Sequence, residues 1–165
     1  DVLASKLSVE KPRAYITQTT LSVDEARDTI AALRERFPNI IGPSAGDLCY
    51  ATGNRQAAVR ELCSKVDLLL IVGSSNSSNS TRLSELGKKC GIPSYLISSV
   101  EDLNFDWFKN AETVGLSSGA SAPDILVQGV QQAICAKFPD ILVENSVTLV
   151  ENLHFPLPKE LQEDK

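Results

Sequence analysis

Apolar positions recur along this chain in two rhythms. The run Leu68-Leu69-Leu70-Ile71-Val72 after Asp67 is unbroken. A strand covered on both faces needs such a run, because neither side of it meets water. Ser94 to Ile97 and Thr113 to Leu116 predict two further strands, Ala14 to Ile16 the end of a short one, and Ser146 to Val150 a late one. Between these stretches apolar residues return every three or four positions, as one face of a helix does. Val23, Ala26, Ile30, Leu33 and Phe37 predict a helix stopped by Pro38, and Ser22-Val23-Asp24-Glu25 opens it with a capping-box pattern. Val59, Leu62, Cys63 and Val66 form the stripe of a helix from Asn54 to Lys65. A third helix is expected from about Ser80 to Cys90, ended by Gly91 and Pro93, and a short one from Asn104 to Lys109. The last runs from Pro123, well suited to a first helical position, to about Lys137.

Helices and strands therefore alternate, which predicts an α/β fold: a parallel-sheet, three-layer module with helices on both faces. Asn39 to Asp47, with Gly42-Pro43 and Gly46, reads as the boundary. The expected organisation is residues 1–45 as part of a preceding α/β module, 46–137 as one complete module, and 138–165 as a late strand and acidic tail.

Four polar segments fall where helices should begin: Thr17-Gln18-Thr19-Thr20-Leu21-Ser22, Cys49-Tyr50-Ala51-Thr52-Gly53-Asn54, Gly73-Ser74-Ser75-Asn76-Ser77-Ser78-Asn79-Ser80 and Gly119-Ala120-Ser121-Ala122-Pro123-Asp124. Three of them follow a strand-like run. The first turn of a helix points free N–H groups outward, and its dipole favours negative charge there. Three such ends meeting at one point would hold a diphosphate with few cationic side chains. Ligands of parallel sheets bind beyond the carboxyl ends of the strands, where these loops lie. The Gly73–Ser80 stretch also admits a plainer reading as a flexible serine-rich linker. Ser121 admits one as a helix cap. Ser22 already accounts for the cap of its helix, which leaves Thr19 and Thr20 to face a ligand. Neither the Gly-x-x-x-x-Gly-Lys loop nor the Gly-x-Gly-x-x-Gly fingerprint occurs, so the common nucleotide-binding readings fail.

Composition narrows the picture further. The 165 residues are 42% hydrophobic and 22% charged, which is ordinary for a globular chain able to bury one good core. A formal net charge of -5 argues against a broad nucleic-acid surface. No apolar run is long enough to span a bilayer. The chain begins at Asp1 and holds no Met, which reads as a piece of a longer polypeptide. Of four cysteines, none in a Cys-x-x-Cys pair, Cys63, Cys90 and Cys135 sit on or near apolar helix faces and are expected to pack. Cys49 lies outside those stripes, just before a helix, where a thiolate is stabilised and can bind metal; a buried packing role is the alternative. His154, the only histidine, and Trp107, near Phe105 and Phe108, read as packing or surface residues rather than catalytic ones.

Taken together, these segments resemble one family. Thr17-Gln18-Thr19-Thr20-Leu21-Ser22, Cys49-Tyr50-Ala51-Thr52 with Asn54-Arg55-Gln56, Val72-Gly73-Ser74 with Asn76-Ser77-Ser78-Asn79-Ser80, and Gly119-Ala120-Ser121-Ala122-Pro123-Asp124-Ile125-Leu126-Val127 carry the likeness, which runs on to Pro158-Lys159-Glu160-Leu161. It is to the LytB-type iron–sulfur reductases, which convert 4-hydroxy-3-methylbut-2-enyl diphosphate to isopentenyl and dimethylallyl diphosphate in the non-mevalonate isoprenoid pathway. The resemblance implies three similar α/β modules around a cavity, each giving one cysteine to a [4Fe-4S] cluster. It implies that Cys49 is the third cluster ligand. Ser77, Ser78, Asn79 and Ser121 would hold the diphosphate, and Thr19 would lie near the reacting end of the substrate. The other two cysteines, the diphosphate-binding histidines and the proton-relaying glutamate of the family belong to the half before this chain. The chain then corresponds to the carboxyl half: the end of the middle module, the third module and the tail. An electron donor such as ferredoxin or flavodoxin, the missing amino-terminal half, and a bacterial cytoplasm or plastid stroma are implied with it. A stand-alone diphosphate-binding module without redox activity is the alternative.

Overall fold

The computed structural model describes residues 7–8, 11–43 and 49–148. At its centre lies strand β1 (Leu68–Val72), whose five residues are all buried. It pairs in parallel with β2 (Ser94–Ile97) on one side and β3 (Val114–Ser118) on the other, giving the order β2-β1-β3. Leu70 lies opposite Tyr95 in one pairing and Leu116 in the other.

Side chains along a strand alternate between faces, and each face of β1 has its own cover. Leu68, Leu70 and Val72 pack with Val130 and Ile134 of helix α4 (Asp124–Lys137) and with Phe108. Leu69 and Ile71 pack with Val59 and Cys63 of helix α2 (Tyr50–Cys63) and Leu83 of helix α3 (Ser78–Lys89). The sheet is thus a middle layer between helices, as the unbroken apolar run requires. Each buried leucine or isoleucine contributes about 1.5–3 kcal/mol of transfer free energy. Two 3-10 turns, Val100–Asp102 and Phe105–Asn110, take the place of the expected short helix. They carry Trp107 into a parallel stack on Tyr95, ring centroids 3.9 Å apart, so Trp107 does pack.

Helix α1 (Val23–Arg36) docks through polar contacts. Its expected capping box does not form. Ser22 is the N-cap residue but makes no side-chain cap bond. The Val23 N–H donates instead to Oε1 of Gln56, 3.2 Å away on α2, while Gln56 Nε2 donates to the Leu21 carbonyl at 3.0 Å. Glu25, which would close the box, pairs with Lys89, and Asp24 pairs with Arg60. Tertiary partners outcompete the local ones.

Other boundaries move too. Helix α2 starts at Tyr50, a full turn before the expected Asn54, because Thr52 and Gln56 are buried polar members of its inner stripe. Helix α3 starts at Ser78 because the Ser77 side chain caps it. Pro123 is the N-cap of α4 rather than its first residue, so Ser121 is not the cap. The strand end expected at Ala14 to Ile16 is a single parallel bridge between Ala14 and Ile41. Residues 146–148 are not strand; the rest of the expected late strand, His154 and the acidic tail lie outside the described residues. No helix among the described residues is long and apolar enough to cross a membrane.

Candidate functional site

Two strand-to-helix junctions meet at the carboxyl edge of the sheet. Beyond β1 the Gly73 N–H donates to the Ile97 carbonyl at 2.9 Å, and beyond β3 the Gly119 N–H donates to the Val72 carbonyl at 3.0 Å. The three strands therefore release their chains side by side. Ser80, in the first turn of α3 and 1% exposed, fills the space between the two junctions. A Cβ on either Gly73 or Gly119 would overlap its Oγ. Asn79 Nδ2 lies 3.7 Å from the place where a Gly119 Cβ would stand. The first turn of α3 thus lies directly against the loop that leads into α4.

Asn79 is 7% exposed, and neither its amide nitrogen nor its amide oxygen has a hydrogen-bond partner among the described residues; the same holds for Ser80 Oγ. A buried amide without partners costs roughly 1–3 kcal/mol, so it marks a place where structure is held for something other than stability. Ser77 is committed differently: its Oγ accepts from the Ser80 N–H at 3.3 Å as the cap of α3. Ser78 and Ser121 are exposed at the starts of the two helices.

Helix α2 begins at the same edge. Arg55 Nη1 donates to the Ser118 carbonyl at 3.1 Å and to Ser118 Oγ at 3.3 Å, fixing the first turns of α2 to the last residue of β3. Cys49, its N-cap residue, is exposed, and its N–H donates to the Thr19 carbonyl at 3.1 Å. The structure therefore brings Cys49 and Thr19 together, and Asn79 and Ser80 together with Gly119. Arg55 was expected only as part of a motif, and Ser80 only as the end of a loop. Their roles were legible in one respect: a hydroxyl in the first turn of one helix and a cation in the second turn of another, both helices starting at the junction.

The other cysteines separate from Cys49 as expected in part. Cys63 is buried, Cys135 is half-buried, but Cys90 is exposed at the end of α3 and does not pack in the core. No three His, Cys, Asp or Glu side chains among the described residues gather as a metal-binding group. Cys49 alone fits one thiolate position of an iron–sulfur cluster, since it is exposed at a helix N-terminus; the described residues do not make a complete ligand set.

The family model described as LytB protein matches residues 2–135. The 4-hydroxy-3-methylbut-2-enyl diphosphate reductase of Zymomonas mobilis is 54% identical over 153 residues, covering 93% of this chain and 45% of that protein. Reductase 2 of Bradyrhizobium diazoefficiens is 50% identical over 161 residues, 98% of this chain and 52% of its own. The solved structure of the E-1-hydroxy-2-methyl-but-2-enyl-4-diphosphate reductase from Plasmodium falciparum superposes with a TM-score of 0.85 at 33% identity, over 96% of this chain and 50% of that one. The chain spans about half the length of the curated relatives it matches.

Proposed function

The chain belongs to the LytB protein family, and on that premise we propose that it is the carboxyl-terminal part of a 4-hydroxy-3-methylbut-2-enyl diphosphate reductase. Residues 1–45 are then the end of a middle module, 46–137 the third module, and 138–165 the segment that follows it. The observation that carries this reading is the meeting of the β1 and β3 junctions around the buried amide of Asn79, which has no hydrogen-bond partner among the described residues, with Cys49 and Thr19 at the start of the neighbouring helix.

The starts of α3 and α4 offer free backbone N–H groups and aligned dipoles to a diphosphate. The Asn79 amide donates to one of its oxygens, with Ser77, Ser78 and Ser121 contributing hydroxyls. Gly119 permits the close approach. Holding the diphosphate there fixes the orientation of the remaining carbon chain, which is the positioning part of catalysis. Thr19 lies toward the reacting end, beside Cys49. Cys49 supplies one thiolate to a [4Fe-4S] cluster whose other ligands come from outside this chain. When bound, the cluster supplies the two electrons with which, together with two protons, the substrate hydroxyl leaves as water. An electron carrier such as ferredoxin or flavodoxin would restore those electrons. The reaction is complete only when the amino-terminal half covers the site, since excluding water strengthens each electrostatic contact inside it.

The test is complementation. This chain is co-expressed with the amino-terminal half of the Zymomonas mobilis reductase, reconstituted anaerobically with iron and sulfide, and assayed with a strong reductant. Cluster absorbance and substrate reduction are expected for the pair and are lost in Cys49→Ser, because a hydroxyl replaces a soft thiolate poorly. A pair that binds diphosphate but shows equal iron content with and without Cys49 would favour a binding module without redox activity.

A further inference from the structure

We propose that Arg55 is a positioning residue of the candidate reductase site: it orients the Ser118–Gly119 peptide, and with it the loop that brings Ser121 and the start of α4 to the diphosphate. This role rests on the reading of the chain as part of a reductase. Among the described residues β3 pairs only with β1, so carbonyls on its outer edge need another donor. At Ser118 that donor is Arg55, whose Nη1 donates to the carbonyl at 3.1 Å and to Ser118 Oγ at 3.3 Å. The N–H of the same peptide group, that of Gly119, donates to the Val72 carbonyl at 3.0 Å. In a trans peptide the C=O and N–H point in opposite directions. One peptide plane is thus held from both ends, by β1 on one side and by α2 on the other.

Local sterics hold that plane weakly. Gly119 has no Cβ, and a glycine accepts rotation of the peptide before it at little cost. The residues that follow carry the anion-binding groups: the Ala122 N–H turns back onto the Gly119 carbonyl at 3.1 Å, with Ser121 between them. Rotation at Ser118–Gly119 would move this turn relative to Asn79, whose amide nitrogen lies 3.7 Å from the place of a Gly119 Cβ. It would also release the Ser118 carbonyl, the negative end of a dipole, beside a bound anion. The place of Arg55 on α2 gives the tie its reach. Its neighbour Gln56, 2% exposed, bonds to the Leu21 carbonyl and the Val23 N–H. Consecutive helix residues point roughly 100° apart, so α2 holds the loop that carries Thr19 with one residue and the loop into α4 with the other. Cys49 is the N-cap of the same helix. Arg55 therefore fixes the diphosphate end of the site relative to the helix that carries Cys49.

The experiment uses this chain paired with the amino-terminal half of the Zymomonas mobilis reductase, without a cluster. Calorimetry reads the binding of inorganic pyrophosphate, and amide exchange is followed at Gly119 and Gly73. Arg55→Gln is expected to weaken pyrophosphate binding roughly tenfold. It should also speed exchange at Gly119, while Gly73, bonded to the Ile97 carbonyl, exchanges as in the parent. Asp67→Asn is the structural control, because it loosens the opposite end of β3, where the Asp67 carboxylate accepts from Thr113. It is expected to lower stability and leave pyrophosphate affinity unchanged. Arg55→Lys keeps the charge without the planar fork, and is expected to restore affinity only as far as it slows the Gly119 amide. Equal affinity in Arg55→Gln and the parent, or an equal loss in Asp67→Asn, would overturn the role. Full affinity in Arg55→Lys with a Gly119 amide still fast would show a charge acting at a distance, and would overturn it too. A parent pair that binds no pyrophosphate would overturn the reductase reading itself, and this role with it. Should Arg55→Gln fail to fold, Arg55→Lys against the parent decides by the same two readouts.

Discussion

Gly119 has no room for a side chain, and the group that denies it is Ser80. An added Cβ would overlap Ser80 Oγ but would stand 3.3 Å from Ser80 Cβ. Gly119→Ala is therefore expected to cost about 1–3 kcal/mol of stability by overpacking. Most of that cost should vanish in a Ser80→Ala background, because only the hydroxyl is in the way. Gly73→Ala should not be rescued likewise, since its Cβ would stand only 2.7 Å from Ser80 Cβ. Urea titration of the four variants checks this; equal rescue at both glycines would contradict the packing described. Asn79 has a different character: its amide is buried and has no hydrogen-bond partner among the described residues. In the assembled protein Asn79→Ala is expected to weaken diphosphate binding by roughly 1–3 kcal/mol, through a lost charge-assisted hydrogen bond, while leaving stability unchanged or raised. Calorimetry with inorganic pyrophosphate reads the first effect and a thermal melt the second. Asp67 offers a pH test. Its carboxylate accepts from Thr113 Oγ1 at 2.8 Å, the Thr113 N–H at 2.9 Å and the Glu112 N–H at 3.0 Å, which hold it below the usual carboxylate range. A lowered folded-state value means the stabilisation is full above the unfolded value and fades as pH falls through the folded one. Asp67→Asn should be less stable than the parent at neutral pH, and the gap should close below about pH 4. A gap of constant size down to pH 2.5 would tell against the carboxylate as its source.

At the scale of elements, α1 is held by polar ties rather than by a deep apolar stripe. Ala26 is its only buried residue, and Gln56 fastens its start with two hydrogen bonds. The Glu25–Lys89 and Asp24–Arg60 pairs are partly exposed and worth little each. Gln56→Ala should accordingly cost about 1–3 kcal/mol, since it orphans the Leu21 carbonyl and the Val23 N–H together. Its effect should be local: faster amide exchange in α1, with the amides of β1 still protected. Equal loss of protection in α1 and β1 would show that α1 belongs to the same cooperative unit as the sheet. Within the sheet module the logic reverses, because β1 contacts both helix layers. Leu70→Ala should cost about 2–5 kcal/mol and unfold both faces at once.

At the scale of the whole molecule, the candidate site lies at an edge that presents α2, α3 and α4 by their starts. Such donors are local to the chain, so inorganic pyrophosphate is expected to bind the isolated chain weakly. Binding should tighten at least tenfold when the amino-terminal half of a relative is supplied, since water exclusion strengthens charge-assisted bonds. The isolated chain should not hold an intact four-iron cluster, because Cys49 is one thiolate and Cys63 and Cys90 lie at the far ends of α2 and α3. Iron counting after anaerobic reconstitution checks the second point; a stable cluster at one per chain would falsify it.

What the sequence determined by itself is the class of fold and the places where chemistry gathers. An unbroken Leu68–Val72 run has no stable home except between two layers, and polar segments after strands have to become helix starts. Those constraints act within a few residues, so they are visible in order and spacing alone. Tertiary structure decided the strand order β2-β1-β3, the insertion of Ser80 between Gly73 and Gly119, and the burial of the Asn79 amide. It also moved the start of α2 to Tyr50 and gave the cap of α1 to Gln56 instead of Ser22. In each of these cases the deciding partner is distant in sequence, and a hydrogen bond or close contact made across that distance outweighs the local preference it replaces. Cys90 is the exception, decided locally: its helix spacing suggested a packed thiol, but it ends α3 just before the left-handed turn at Gly91 and is exposed.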